Sequence, residues 1–179
     1  MAIYEVDNAC PPGGKRVRRR SELVDVRLAS WNIGSLTGKS IELVKILHRH
    51  RISIACIQKT RWVGAKAKEI GGFKLWYSGV KRTTNGVGIL VKRDLVEQVV
   101  EVRRKSDRIM SIKLVVGSEV INIVSVYAPQ VGLGEEIKRR LWEGLDEVVQ
   151  GIPPNEGLLI GGDFNGHIGS RGELSLIHI

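Results

Sequence analysis

From Leu28 to Ile160 the chain is cut into short apolar runs separated by glycine, proline and asparagine, and only two segments carry helical spacing. Short apolar runs bounded by turn formers suit strands, so this succession requires sheets with few helices between them. Leu28-Ala-Ser-Trp-Asn-Ile33 suits a strand and Gly34-Ser-Leu-Thr-Gly38 a loop. Ser40 to about His50 reads as a helix, with Leu43, Ile46 and Leu47 on one side and basic residues at its end. Ile52-Ser-Ile-Ala-Cys-Ile57 then reads as a buried strand. Strand, helix, strand favours a parallel pair, because parallel neighbours need a long crossover.

After Ile57 the texture becomes antiparallel. Phe73–Tyr77 and Val87–Val91 flank an Asn85-Gly86 turn signal, and Ile109–Val116 with Val120–Val126 predict a hairpin through Gly117-Ser118. Asp94 to Arg103 reads as a strand, with a pattern that also permits a helix. Glu135 to Gln150 is an amphipathic helix with Ile137, Leu141, Leu145 and Val148 on one face, ended by Pro153-Pro154. No internal repeat is present.

The last apolar run opens the stretch Gly157-Leu-Leu-Ile-Gly-Gly-Asp-Phe-Asn-Gly-His-Ile-Gly169. Asp163, Asn165 and His167 stand at alternate positions just beyond it, so an extended chain points all three the same way. This is either a polar site at a strand end or an Asn/Gly turn in which Asp and Asn bond their own backbone.

Length and composition bound the rest. A chain of 179 residues that is 42% hydrophobic can build one domain with a real core. Its net charge of +9 suggests a polyanionic partner, nucleic acid or an anionic membrane, although it also serves solubility. Of the two cysteines, Cys56 lies in an apolar run and reads as a buried thiol, and Cys10 is far from it. A reducing, intracellular setting, nuclear or cytoplasmic, is therefore expected, without a disulfide framework. No apolar run approaches the ~20 residues of a membrane span. Residues 1–26 read as a basic, disordered tail in which Cys10-Pro-Pro-Gly-Gly14 precedes Lys15, Arg16, Arg18, Arg19 and Arg20. Such a cluster is a nuclear localisation signal, an electrostatic arm for nucleic acid, or a solvated charge run. Nothing implies a stable protein partner.

Gly38-Lys39-Ser40 follows a strand and opens a helix as a phosphate-binding P-loop does. That loop needs a glycine where Ile33 stands, and starting from Gly34 it is one residue short, so its N–H groups cannot wrap a phosphate. Ser40 is more simply a helix N-cap.

Four segments in order each carry polar or aromatic groups directly after an apolar strand: Ser30-Trp-Asn32, Ile57-Gln-Lys-Thr-Arg-Trp62, Val126-Tyr-Ala-Pro129 and Gly162-Asp-Phe-Asn165. In this order and spacing, over residues 27–172, they resemble the endonuclease/exonuclease/phosphatase superfamily. The wording is most similar to the endonuclease domains of LINE-type retrotransposons and to craniofacial development protein 2-like proteins. The resemblance implies a deoxyribonuclease I-like fold: α+β, the N-terminal part of a four-layer α/β/β/α sandwich with mixed, largely antiparallel sheets. It implies Mg²⁺-dependent hydrolysis of a phosphodiester, with nucleic acid as partner and DNA favoured over RNA. Asn32 corresponds to the amide that helps bind the metal, and Tyr127 to the tyrosine that contacts the scissile phosphate. Asp163 corresponds to the carboxylate that orients the attacking water, and Asn165 to the amide that steadies the phosphate. Arg61 and Trp62 follow a strand and suit phosphate contact and base stacking; Trp62 equally suits covering the core edge. His167 has no assured role in the motif, and a locally bonded loop histidine is the simpler reading.

The pattern breaks in two places. Where the family carries its principal metal-binding glutamate, this chain has Lys59. At ~4 Å and an effective dielectric near 20, a unit-charge pair is worth about 4 kcal/mol, so an ammonium opposes a divalent ion by roughly 8 kcal/mol at most. Metal-dependent catalysis is therefore expected to be lost or severely weakened. The family's later Ser-Asp-His motif also does not occur, and Leu174-Ser-Leu-Ile-His-Ile179 reads as a non-native tail over 173–179. The chain is thus expected to be an incomplete, inactive endonuclease-type domain, or a non-catalytic nucleic-acid-binding protein on the same fold.

Overall fold

The computed structural model describes residues 2–5, 26–130 and 132–165. Among the described residues, ten strands form two sheets. In chain order they are β1 Ala2–Glu5, β2 Arg27–Asn32, β3 Ile54–Gln58, β4 Gly64–Ile70, β5 Phe73–Gly79, β6 Val87–Lys92, β7 Val99–Arg104, β8 Ile109–Val116, β9 Glu119–Tyr127 and β10 Gly157–Asp163. The first sheet has the order β1-β2-β3-β6-β5-β4 and the second β10-β9-β8-β7. Only β2 with β3 and β9 with β10 run parallel, each pair joined by a crossover that contains a helix. These helices are α1, Ser40–Arg49, and α2, Glu135–Gln150.

Alternation along the strands builds the layers. Ile54 and Cys56 of β3 point inward with Ile89 and Val91 of β6, against Met110 and Ile112 of β8 and Ile123 of β9. The intervening Ala55 and Ile57 face outward under Leu43, Val44 and Leu47 of α1. Val124, Val126, Leu158 and Ile160 form the outer face of the second sheet and carry Leu141 and Leu145 of α2. The result is four layers, α/β/β/α, with the largest apolar cluster between the sheets.

Several expectations shift. Residues Ala2–Glu5, inside the stretch expected to be a disordered tail, pair antiparallel with β2, whose outer edge they cover. Strand β4 has no counterpart in the sequence pattern because it is an edge strand of small and charged residues, exposed from Ala65 to Glu69. Asp94–Arg103 divides into a 3-10 turn over Arg93–Gln98 and strand β7. Ser40 is the first helical residue and does not cap; Lys39 holds that position without a side-chain cap bond. Ile137 is exposed, and the buried face of α2 is Leu141, Gly144 and Leu145. No helix among the described residues is long and apolar enough to cross a membrane.

Candidate phosphodiester site at the strand ends

The two parallel pairs end together, and their registers fix the site. Asn32 is level with Gln58 across β2 and β3, and Asp163 is level with Tyr127 across β10 and β9. All four occupy inward phases of their strands, in line with Leu28, Cys56, Ile123 and Leu159. They therefore converge between the sheets at one end of the sandwich. Asn32 Nδ2 donates to Asp163 Oδ2 at 2.5 Å, tying one sheet to the other. Asn32 Oδ1 accepts the Gly34 N–H at 3.1 Å, so the amide is fixed in both directions.

Asp163 is held equally firmly. Its Oδ1 accepts the Asn165 N–H at 3.0 Å, an Asx-type turn of the kind its sequence permits. Asn165 takes a left-handed backbone, φ 46°, and sends Nδ2 to the Ala128 carbonyl at 2.6 Å. Ala128 N–H in turn donates to the Asp163 carbonyl at 2.8 Å. The turn reading and the site reading of this stretch thus hold together: the turn places the carboxylate. Phe164 between them stacks on Trp142 of α2, ring centroids 6.2 Å apart.

Lys59 follows β3 directly, half-buried with φ 58°. Its Nζ lies 5.6 Å from the centroid of the buried Tyr127 ring. Arg108, at the turn between β7 and β8, brings its guanidinium to 5.1 Å from the same centroid and donates from Nη1 to the Tyr127 carbonyl at 3.1 Å. Burial pushes the Arg108 guanidinium down from its ordinary value, while Asp107 and Tyr127 pull the other way. Arg108 lies outside the motifs that the sequence singled out. A signal for it existed: the hairpin register sets Ile109 opposite Val126, which brings Arg108 level with Tyr127.

Thr60 is fully buried, and its N–H donates to Gly86 O at 3.0 Å. A Cβ on Gly86 would stand 2.3 Å from Thr60 Oγ1, so only glycine closes these two loops. Arg61 is exposed, with its N–H donating to Asn85 O at 3.1 Å. Trp62 is half-buried, edge-on to Tyr77 with centroids 5.3 Å apart, and Lys68 Nζ lies over its ring. That ring covers the core edge. Lys15, Arg16, Arg18, Arg19, Arg20, His167 and the 173–179 stretch lie outside the described residues.

The donors present do not fit a divalent cation. Among the described residues no three His, Cys, Asp or Glu side chains converge. Asp163 is the one carboxylate of the cluster, and both of its oxygens already accept hydrogen bonds. Mg²⁺ takes oxygen ligands in a near-octahedral shell, and here two cationic side chains flank Tyr127.

Two mixed sheets, each covered by a helix, with an Asn–Tyr–Asp–Asn group where the parallel strands end, define a deoxyribonuclease I-like sandwich. The chain belongs to the Endonuclease/Exonuclease/phosphatase family, which it matches over residues 29–172. It is similar to craniofacial development protein 2 of Bos taurus, 25% identical over 146 residues that cover 80% of this chain and 25% of that protein. The chain thus spans about a quarter of the curated relatives' length. In fold it resembles an AP endonuclease from Archaeoglobus fulgidus, TM-score 0.60 at 20% identity, covering 77% of this chain and 56% of that one. It also resembles the endonuclease domain of TRAS1, a telomere-specific non-LTR retrotransposon, TM-score 0.52 at 21% identity, covering 73% and 56%. A third similar structure is D. rerio TDP2 complexed with single-strand DNA product, TM-score 0.56 at 11% identity, covering 76% and 59%.

Proposed function

We propose that this chain descends from metal-dependent nucleic-acid endonucleases of retrotransposon type and that it grips a phosphodiester strand without cutting it. The observation that carries this is Lys59, whose ammonium stands by Tyr127 at the position where the family resemblance puts a metal-binding glutamate. An ammonium there neutralises a phosphate oxygen directly, in place of the ion. Tyr127 and the amides of Asn32 and Asn165 offer polar contacts without adding repulsive charge. Asp163, with both oxygens accepting hydrogen bonds, serves to hold Asn32 and the Asn165 turn in place. DNA is favoured over RNA, in keeping with AP endonuclease and DNA-bound TDP2 among the similar folds. Arg61 and the Lys15, Arg16, Arg18, Arg19 and Arg20 cluster would add phosphate contacts. That cluster also suits nuclear import.

The test is binding and nicking on one duplex. Fluorescence anisotropy should show salt-sensitive DNA binding, unaffected by EDTA, and supercoiled plasmid with Mg²⁺ should remain uncut. Calorimetric titration should find no ordinary Mg²⁺ affinity in the wild type and a gain of it in Lys59→Glu. Removing a repulsion of up to about 8 kcal/mol makes that gain easily visible. Nicking by a Lys59→Glu chain extended to its relatives' length would support the endonuclease lineage. Mg²⁺-dependent nicking by the wild type would sink the non-cutting reading.

A further inference from the structure

We propose that Arg108 and Lys59 together form a metal-independent clamp for a single phosphate group, seated over Tyr127. This rests on the nucleic-acid reading above and assigns the residues that replace the ion. Arg108 is locked in place. Tyr127 N–H donates to the Arg108 carbonyl at 2.9 Å, and Arg108 Nη1 donates back to the Tyr127 carbonyl at 3.1 Å. The guanidinium is thereby held against the ring that Lys59 also approaches, at 5.1 Å and 5.6 Å from its centroid respectively.

The charges at this spot are unbalanced. Neither Lys59 nor Arg108 forms a salt bridge among the described residues. The nearby acids are engaged elsewhere: Asp107 Oδ2 accepts from Asn85 Nδ2 at 2.9 Å, and Asp163 is held by Asn32 and Asn165. Both cations are half-buried and have given up part of their hydration, and the charge of Asp107 acts on Arg108 without forming a salt bridge with it among the described residues. A guanidinium with N–H groups still unspent and an ammonium that approaches the same ring match the oxygens of a phosphate. The planar fork takes two of them and the point charge a third. Burial has already lowered the affinity of Arg108 for its own proton, and an arriving anion relieves that cost.

The experiment uses the whole chain with arginine side chains labelled for ¹⁵N NMR. Inorganic phosphate and a short DNA duplex are titrated separately, with EDTA present throughout. The Arg108 Nε–H signal should shift and saturate with both, at millimolar phosphate. Arg108→Lys keeps the charge but loses the fork, and Lys59→Ala loses the ammonium. Each should weaken duplex binding about tenfold, as loss of a hydrogen bond to a charged group does. Lys59→Ala should also flatten the salt dependence, lowering the log–log slope by about 0.9, while Arg108→Lys, which keeps the charge, should leave the slope unchanged. Thermal melts of both variants ensure that a lost fold is not mistaken for a lost contact. If Arg108→Lys binds duplex as tightly as wild type while Lys59→Ala does not, the clamp is wrong and the nucleic-acid reading stands. If wild type binds no DNA, that reading fails. The clamp is then judged on phosphate alone: a saturating Arg108 shift upholds it, and no shift, or one that never saturates, overturns it.

Discussion

Cys56 reports what the space between the sheets does to charge. Its thiol is 2% exposed and donates toward the Val124 carbonyl, and burial pushes its pKa from 9.0 up to about 12. Weaker hydrogen bonds with the Gly161 backbone and Ser125 act in the opposite direction. Because the folded value is the higher one, the protein excludes the thiolate and the unfolded chain accepts it. The thiol's contribution is therefore complete below pH 9 and is lost as pH rises toward 12. By pH 10 the loss amounts to about 1.4 kcal/mol relative to a residue that does not titrate. Urea unfolding of wild type and Cys56→Ala at pH 8 and pH 10 should show the gap between them close by that amount. A gap independent of pH would mean that the interior accommodates the thiolate. The same interior leaves Gln58 Oε1 without a partner while its Nε2 reaches Ser30 and Ser125, so the polar row behind the site is incompletely satisfied.

At the scale of elements, the site depends on how closely β10 approaches the first sheet. A Cβ added at Gly161 would stand 2.9 Å from Cys56 Cβ and 3.0 Å from its Sγ. The Cβ atom is fixed to the backbone and cannot swing away as the end of a flexible side chain would. Gly161→Ala must therefore part the sheets locally, stretching the Asn32–Asp163 bond two residues further on. Overpacking of this kind costs about 1–3 kcal/mol, to be read as a lower denaturation midpoint. Adding Cys56→Gly should recover part of the loss as a coupling between the two sites. Additive losses would show that the sheets do not meet there. This approach also marks what the sequence could convey. The apolar runs of β3, β6, β8 and β9 were legible because both faces of each strand, or at least one, are buried. Asn32, Tyr127 and Asp163 were legible because each ends such a run. Strand β4 was not, since Gly64-Ala-Lys-Ala-Lys-Glu-Ile70 buries only its last residue and owes its strand form to pairing with β5. Arg108 was less legible for a different reason: its place beside Tyr127 follows from the register of the β8–β9 hairpin, and no spacing within one segment encodes that.

Across the whole molecule, charge is distributed unevenly. Helix α2 pairs all of its cations internally, through Lys138–Glu135, Arg139–Glu136, Arg139–Glu143 and Arg140–Glu136. Among the described residues, the loops at the site end carry Lys59, Lys81 and Arg82 without such pairing. β3 and β6 run antiparallel, so Lys81 and Arg82, in the loop before β6, lie at the end where Gln58 and Lys59 emerge. Gly86 N–H donates to the Asp107 carbonyl at 3.0 Å and joins this loop to the Arg108 turn. The loop cations at the site end should therefore attract a polyanion to that end. If a nucleic-acid strand runs from Tyr127 across this rim, Lys81→Ala with Arg82→Ala should make the salt dependence of DNA binding shallower. Each lost phosphate contact accounts for a slope change of about 0.9. Glu136→Gln, which frees Arg140 and leaves Arg139 paired only with Glu143 on α2, should leave both affinity and slope unchanged, because those cations lie on the outer face of the other sheet. Tighter binding in Glu136→Gln, with no change in the rim variant, would move the nucleic-acid path off the strand ends and onto α2.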